Sequence, residues 1–153
     1  MSSNKIRAVG IIIYRQLDVI SLPQLLLLEC SYNQEWAPPK GHVDLGEHDL
    51  VTAYRETEEE AGIKQSEILL YDGFKEEINY SVTNSPYHNY LMKEKTSVYF
   101  LGKVDFNQKI KLSDEHTGYK WVTFADAIDS AIFENYKNLY SSAKQFIDNI
   151  IDN

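Results

Sequence analysis

The sequence predicts an α/β sandwich, a mixed β-sheet flanked by helices. Three observations carry that expectation: apolar runs rich in β-branched and aromatic residues recur along most of the chain, one helical period appears in its middle, and a second closes it. A length of 153 residues suits a single domain with one core, spanning 1–153, and falls short of two.

The strands come first. Ile6 to Tyr14 and Gln24 to Cys30 are Ile, Val and Leu-rich and are separated by a Ser-Leu-Pro turn. The pattern then breaks between Ser31 and Lys40, where Pro38-Pro39 forbids a helix because proline lacks the donor and restricts the residue before it. Gly41 to Glu47 reads as a loop. From Asp49 to Ala61 the period becomes helical, with Leu50, Tyr54, Thr57 and Ala61 on one stripe and Gly62 placed as a C-terminal stop. Further strands are expected at Glu67 to Tyr71, Phe74 to Val82, Thr96 to Val104 and Tyr119 to Phe124, with a surface loop over Thr83 to Lys95. A final helix is expected from Phe133 to Ile150, where Tyr136, Leu139, Tyr140, Ala143, Phe146, Ile147 and Ile150 recur at spacings of three and four.

Composition excludes several function classes. The net charge of -8 repels phosphates on average, so extended nucleic acid and acidic membranes are not expected partners, and an anionic substrate needs a local basic pocket or a metal. One cysteine, Cys30, permits no internal disulfide and no thiolate zinc centre. The longest apolar runs are too short to cross a bilayer, and the first lacks a cleavage site. A monomer in the cytoplasm, or the nucleus, is the default expectation.

The informative segment is Gly41, five residues, Glu47, seven residues, then Arg55-Glu56-Thr57-Glu58-Glu59-Glu60-Ala61-Gly62-Ile63. On a helix turning 100° per residue, Glu56, Glu59 and Glu60 stand at i, i+3 and i+4 and share a face. Like charges at those spacings cost an isolated helix a few tenths of a kcal/mol each, so a counter-charge is called for. Mg²⁺ is the natural one, because hard cations prefer carboxylate oxygens and act together with substrate phosphates. An arbitrary acidic helix is more often a plain solvated face; the residues around the acids decide against that here.

The segment is similar to the Nudix hydrolase signature, G-x5-E-x7-R-E-U-x-E-E-x-G-U with U a bulky aliphatic residue. All seven fixed residues match, which chance would give about once in a million chains of this length; Thr57 departs at the first aliphatic position. The resemblance implies a Nudix-type α/β/α sandwich and a loop and helix that grip metal ions, Mg²⁺ or Mn²⁺, beneath a pyrophosphate. It makes Glu56, Glu59 and Glu60 metal-binding acids, adds the carbonyl of Gly41, and casts Arg55 and Glu47 as the pair joining loop to helix. It leaves open whether Glu56, Glu60 or Glu115 orders or deprotonates the attacking water.

The likeness extends over nearly the whole chain. Trp36-Ala37-Pro38-Pro39-Lys40-Gly41-His42-Val43, Gln24 to Leu28, Gly73 to Tyr80 and Leu112-Ser113-Asp114-Glu115-His116 resemble the asymmetrical diadenosine tetraphosphate hydrolases of animals, whose implied activity is water attack releasing ATP and AMP. By that resemblance Trp36 and Tyr80 sandwich an adenine, Lys40, Lys95 and Tyr99 lie near the phosphates, His42 lies on the substrate side, and Glu115 approaches the metals from outside the helix as a further ligand and catalytic acid. Histidines such as His42 and His116 are more often structural than catalytic. Glu35 stands where that family often has histidine, and Leu45 where it often has proline, so no role of those residues transfers. Competing readings on the same scaffold are a hydrolase of RNA 5′ ends or of diphosphoinositol phosphates, and a silent nucleotide-binding module. The net acidity disfavours RNA and the intact acids disfavour the silent module.

Overall fold

The computed structural model describes residues 5–82 and 93–151, with side chains over 6–80 and 94–150. Its centre is β1 (Lys5–Arg15), whose Val9, Ile11 and Ile13 face one layer while Ile12 and Tyr14 face the other. Both faces are covered, which is why the strand reads as a continuous apolar run rather than an alternation. β2 (Gln24–Cys30) follows it as a hairpin partner, but the two stay paired only at Tyr14↔Leu25 and Arg15↔Gln24. Beyond that point they diverge.

The chain's next segment fills the gap. β3 (Trp36–Ala37) pairs with β2 through Leu28↔Ala37 and Glu29↔Trp36, and β4 (Lys40–His42) pairs with β1 through Ala8↔His42, Val9↔Gly41 and Gly10↔Lys40. The expected irregular stretch is therefore a tight reversal wedged between two splayed strands, a hairpin in path only, whose arms pair outward with β2 and β1. Pro38 and Pro39 sit at its corner, where neither strand ladder needs their missing N–H, and the Pro39 carbonyl accepts from Ile11 N at 3.3 Å.

Helix α1 (Asp49–Ala61) lies on the Val9 side and buries Thr52, Ala53, Thr57 and Ala61. Leu50 and Tyr54, expected on that stripe, are only half-buried at its margin. Thr57 is fully enclosed, and its hydroxyl donates to Ala53 O at 2.7 Å, so its polar atom is satisfied within the helix. Gly62 ends α1 in the left-handed region, φ 73°, donating to Glu58 O.

β5 (Leu69–Leu70), shorter than expected, follows a 3₁₀ turn over Gln65–Glu67. β6 (Glu76–Val82) is antiparallel to β7 (Lys93–Lys103), which in turn runs parallel to β1 over ten paired residues. Lys93 to Lys95, expected in a surface loop, are strand residues, because β7 keeps its register with β1 down to Lys5; residues 83–92 lie outside the described residues. β8 (His116–Thr123) pairs with β2.

The sequence reading missed α2 (Phe124–Ser130), whose Thr123 cap accepts from Asp126 N at 3.2 Å; seven residues show too little periodicity to announce themselves. α3 (Glu134–Ile151) buries Leu139, Tyr140, Ala143 and Ile147 against the face of Ile12, Tyr14, Tyr99 and Leu101. An eight-stranded mixed sheet thus lies between α1 on one side and α2 and α3 on the other. Among the described residues no helix is long and apolar enough to cross a membrane.

Candidate active site

The wedge hairpin delivers Gly41 against the middle of α1. A Cβ at Gly41 would fall inside the Glu56 carboxylate, so backbone and acid meet without any side chain between them. One turn on, Glu60 Oε1 accepts the Lys40 N–H at 3.0 Å. Two of the three acids expected on one face, Glu56 and Glu60, are thereby fixed by the strand that runs over them.

Arg55 locks the loop to the helix. Its Nε donates to Glu47 Oε2 at 2.7 Å and its Nη2 to Glu47 Oε1 at 2.9 Å, a bidentate pair; Nη1 reaches Glu56 at 2.9 Å and Glu59 at 3.2 Å, and Nη2 also reaches the His42 carbonyl at 3.1 Å. Glu47 further accepts from Asp44 N and the Thr52 hydroxyl, and these donors, Arg55 foremost, hold its pKa down at about 2. The Arg55–Glu47 joint read from the sequence is present as expected.

Burial works the other way on the central acids. Desolvation raises Glu56, against the pull of Arg55, and pushes Glu60 up to about 7, with the charges of Glu56 and Glu115 adding to the effect. Glu115 is exposed at the tip of the turn before β8, and its carbonyl accepts from Ser31 N and Oγ, both at 2.9 Å. Glu59 is the acid turned outward: its side chain is 56% exposed and ion-paired with Arg55.

These groups suit a hard divalent cation in donor chemistry. A glycine backbone and two desolvated carboxylates meet where a β-carbon on Gly41 would collide with Glu56, and desolvation raises both acids even though Glu56 keeps its Arg55 partner and Glu60 feels Lys40. Among the described residues, however, no three acidic or histidine side chains are gathered into a closed cage. Gly41, Glu56 and Glu60 form the inner set, with Glu59 and Glu115 at its rim.

The other wall lies on the α3 side of the sheet. Trp36 and Tyr80 both pack on the core that α3 covers, and Lys120 Nζ stands 4.1 Å from the Trp36 ring centroid. Lys95 pairs with Tyr80 across β6 and β7, its Nζ 6.0 Å from the Tyr80 centroid. Desolvation and the like charge of Lys40 lower Lys95 to about 8, opposed by Glu35 and Glu60. Tyr80 Oη meets Ser97 Oγ at 3.2 Å.

Two expected residues are placed otherwise than a direct substrate contact alone would suggest. Tyr99 is fully buried, its hydroxyl 2.8 Å from that of Tyr136, so its position offers support from below rather than a surface for phosphate. His42 takes part through its carbonyl, and its ring is exposed. Conversely, the sequence reading passed over Lys120 and Ser113. Alternation along β8 sets Gly118 and Lys120 on one face, but only the wedge hairpin brings Trp36 over them.

A family model described as NUDIX domain matches residues 4–149. The chain belongs to the Nudix family. This Nudix chain is 39% identical over 148 residues to the bis(5′-nucleosyl)-tetraphosphatase [asymmetrical] of Rattus norvegicus, the match taking in 93% of the chain and 95% of that relative. It is 34% identical over 143 residues to the protein of the same name from Caenorhabditis elegans, over 93% and 96% of the two chains. A solved C. elegans Ap4A hydrolase binary complex superposes with a TM-score of 0.84 at 33% identity, over 94% of this chain and 98% of that one. The Nudix fold expected from the signature is therefore the fold observed.

Proposed function

We propose that this Nudix hydrolase cleaves diadenosine tetraphosphate asymmetrically, water and substrate giving fully ionised ATP and AMP with release of two protons. The observations that carry the reading are the meeting of Gly41, Glu56 and Glu60 where β4 runs over α1, and the aromatic surface of Trp36 and Tyr80 with Lys95 beside it. Relatives bearing that activity in their names, matched over nearly their full length, support the substrate class.

Each residue has a task that follows from its setting. The indole of Trp36, seated on the core and held by Lys120, and the Tyr80 ring offer stacking surfaces, worth about 1–3 kcal/mol per base. Lys40 and Lys95 draw the polyphosphate toward the acids, and Lys95 regains its full charge when a polyanion relieves its desolvation. Arg55 and Glu47 keep loop and helix in register, a positioning task of the kind on which phosphoryl transfer depends. A divalent ion, Mg²⁺ or Mn²⁺, held by Gly41, Glu56 and Glu60 with Glu59 and Glu115 at the rim, would supply charge neutralisation of the phosphates and a more acidic water. Among the acids, Glu60 is well enclosed and its Oε1 is fixed by the Lys40 N–H, which supports it as the group that takes the proton of the attacking water. One chain carries every residue invoked, so a monomer is the proposed working unit, in cytoplasm or nucleus.

The test is product analysis with magnesium and diadenosine tetraphosphate in ¹⁸O-labelled water. ATP and AMP with the label in AMP are expected, from attack on the phosphorus furthest from the adenosine retained in ATP. Two ADP molecules, or no turnover, reject the proposal.

A further inference from the structure

The turn carrying Glu115 is fastened to the catalytic helix by groups that the reaction described above does not use. Lys111 N donates to Ala61 O at 2.9 Å and Ser113 N to Glu60 O at 3.3 Å, so residues 111–113 run along the C-terminal end of α1. At the next step the fastening passes to side chains. Ser113 Oγ lies 3.1 Å from His116 Nδ1, and the other ring nitrogen, Nε2, faces Glu60 Oε1 at 3.9 Å. Both side chains are enclosed, with 10% of His116 and 12% of Glu60 exposed.

The surroundings of the ring favour one tautomer. Ser113 Oγ accepts the Glu115 N–H at 3.3 Å and has its own proton to donate to His116 Nδ1, while the carboxylate facing Nε2 favours a proton on that nitrogen. An acceptor Nδ1 puts the ring proton on Nε2, the nitrogen that faces Glu60. At 3.9 Å this is longer than a direct hydrogen bond, so in the free protein the N–H dipole acts on the carboxylate electrostatically; such contacts tighten when substrate is bound. Glu60 Oε1 is then flanked by two N–H groups, from Lys40 on β4 and from His116 at the start of β8.

We infer that His116 is a positioning residue for Glu60: held by Ser113, it fixes the carboxylate through Oε1 and couples it to the turn that presents Glu115. The inference rests on Glu60 being the working acid proposed above. It gives the Ser113 and His116 side chains a purpose beyond closing a turn, since a turn alone would not aim a buried ring at a buried carboxylate.

Three measurements on the full chain test it. In the ¹⁵N spectrum of histidine-labelled parent, the His116 ring is expected as the neutral Nε2–H tautomer, and Ser113→Ala is expected to shift it toward a mixture. His116→Ala should lower kcat about ten- to hundredfold, the range found when a group supporting a site residue is removed, with KM within about twofold. His116→Gln, whose amide can set an N–H near the place of Nε2, should recover much of that loss. An Nδ1–H tautomer in the parent overturns the inference, as does a His116→Ala enzyme with parental kcat, or equal loss in the Ala and Gln variants. Should His116→Ala fail to fold, the parent tautomer and the Gln variant still decide. Absence of diadenosine tetraphosphate turnover in the parent sinks the functional proposal instead, and the tautomer in the parent then judges the relay alone.

Discussion

The two walls of the candidate site are built by opposite strategies. The acidic wall is local: Gly41, Glu47, Arg55, Glu56 and Glu60 fall within twenty residues, on one hairpin strand, one loop and one helix. The aromatic wall is assembled from Trp36, Tyr80, Lys95 and Lys120, each on a different strand, and exists only because the sheet's register sets them on a common face. A site made of neighbours in sequence leaves a motif, whereas one made by topology leaves scattered residues. The acidic wall should govern turnover and the aromatic wall affinity, and variants can break that division.

The largest effect is expected at Glu60. Replacing it with Gln should lower kcat by about a thousandfold or more, while the thermal midpoint holds or rises because a desolvated acid has been neutralised. Steady-state kinetics with a melting curve check both parts. Gly41→Ala should come next, about a hundredfold down in kcat, since its β-carbon must push the Glu56 carboxylate aside. Arg55→Lys should cost roughly tenfold in kcat and lower the thermal midpoint, because an ammonium cannot replace the bidentate pair with Glu47. A KM effect without a kcat effect in any of these three would blur the comparison.

On the aromatic side the effects should appear in KM. Trp36→Ala is expected to raise KM about tenfold or more with kcat nearly preserved. Lys95 gives the smallest effect and a sign that discriminates. Its pKa in the folded chain, about 8, lies below the ordinary lysine value of 10.5. Between those values the unfolded chain binds more protons, so the Lys95 contribution to stability rises with pH through that window, and the cost of burying the charged form is fully present below it. Substrate affinity should move oppositely, KM rising up to about tenfold from pH 7.5 to 9.5 as the ammonium is lost. In Lys95→Met both pH trends should flatten; a KM profile unchanged by that substitution would remove Lys95 from the phosphate path.

The same division explains what could be read in advance. The shared face of the acids and the stop at Gly62 were legible because helical geometry turns spacing directly into position, whereas the Arg55–Glu47 pair was implied by family likeness. Trp36 and Tyr80 were reached by family likeness, since an aromatic residue in a strand carries no mark of the face it will share. The wedge hairpin stayed hidden because two- and three-residue strands show no alternation, and their pairing depends on β1 and β2 having splayed apart. Tyr99 was expected beside the phosphates, but alternation along β7 carries it with Lys95 and Ser97 to the α3 face, where Tyr136 closes over it. Thr57, which departs from the signature at its first aliphatic position, is fully enclosed and donates its hydroxyl to Ala53 O.

The central claim is that Glu56 and Glu60, under Gly41, form the inner hold on a divalent cation. Binding of Mn²⁺ followed by electron paramagnetic resonance, in the parent and in a Glu56→Gln, Glu60→Gln double variant shown to be folded by circular dichroism, measures it without turnover. The account predicts saturable binding in the parent and a loss of at least about tenfold in affinity in the variant. Equal affinity in the two proteins would contradict it.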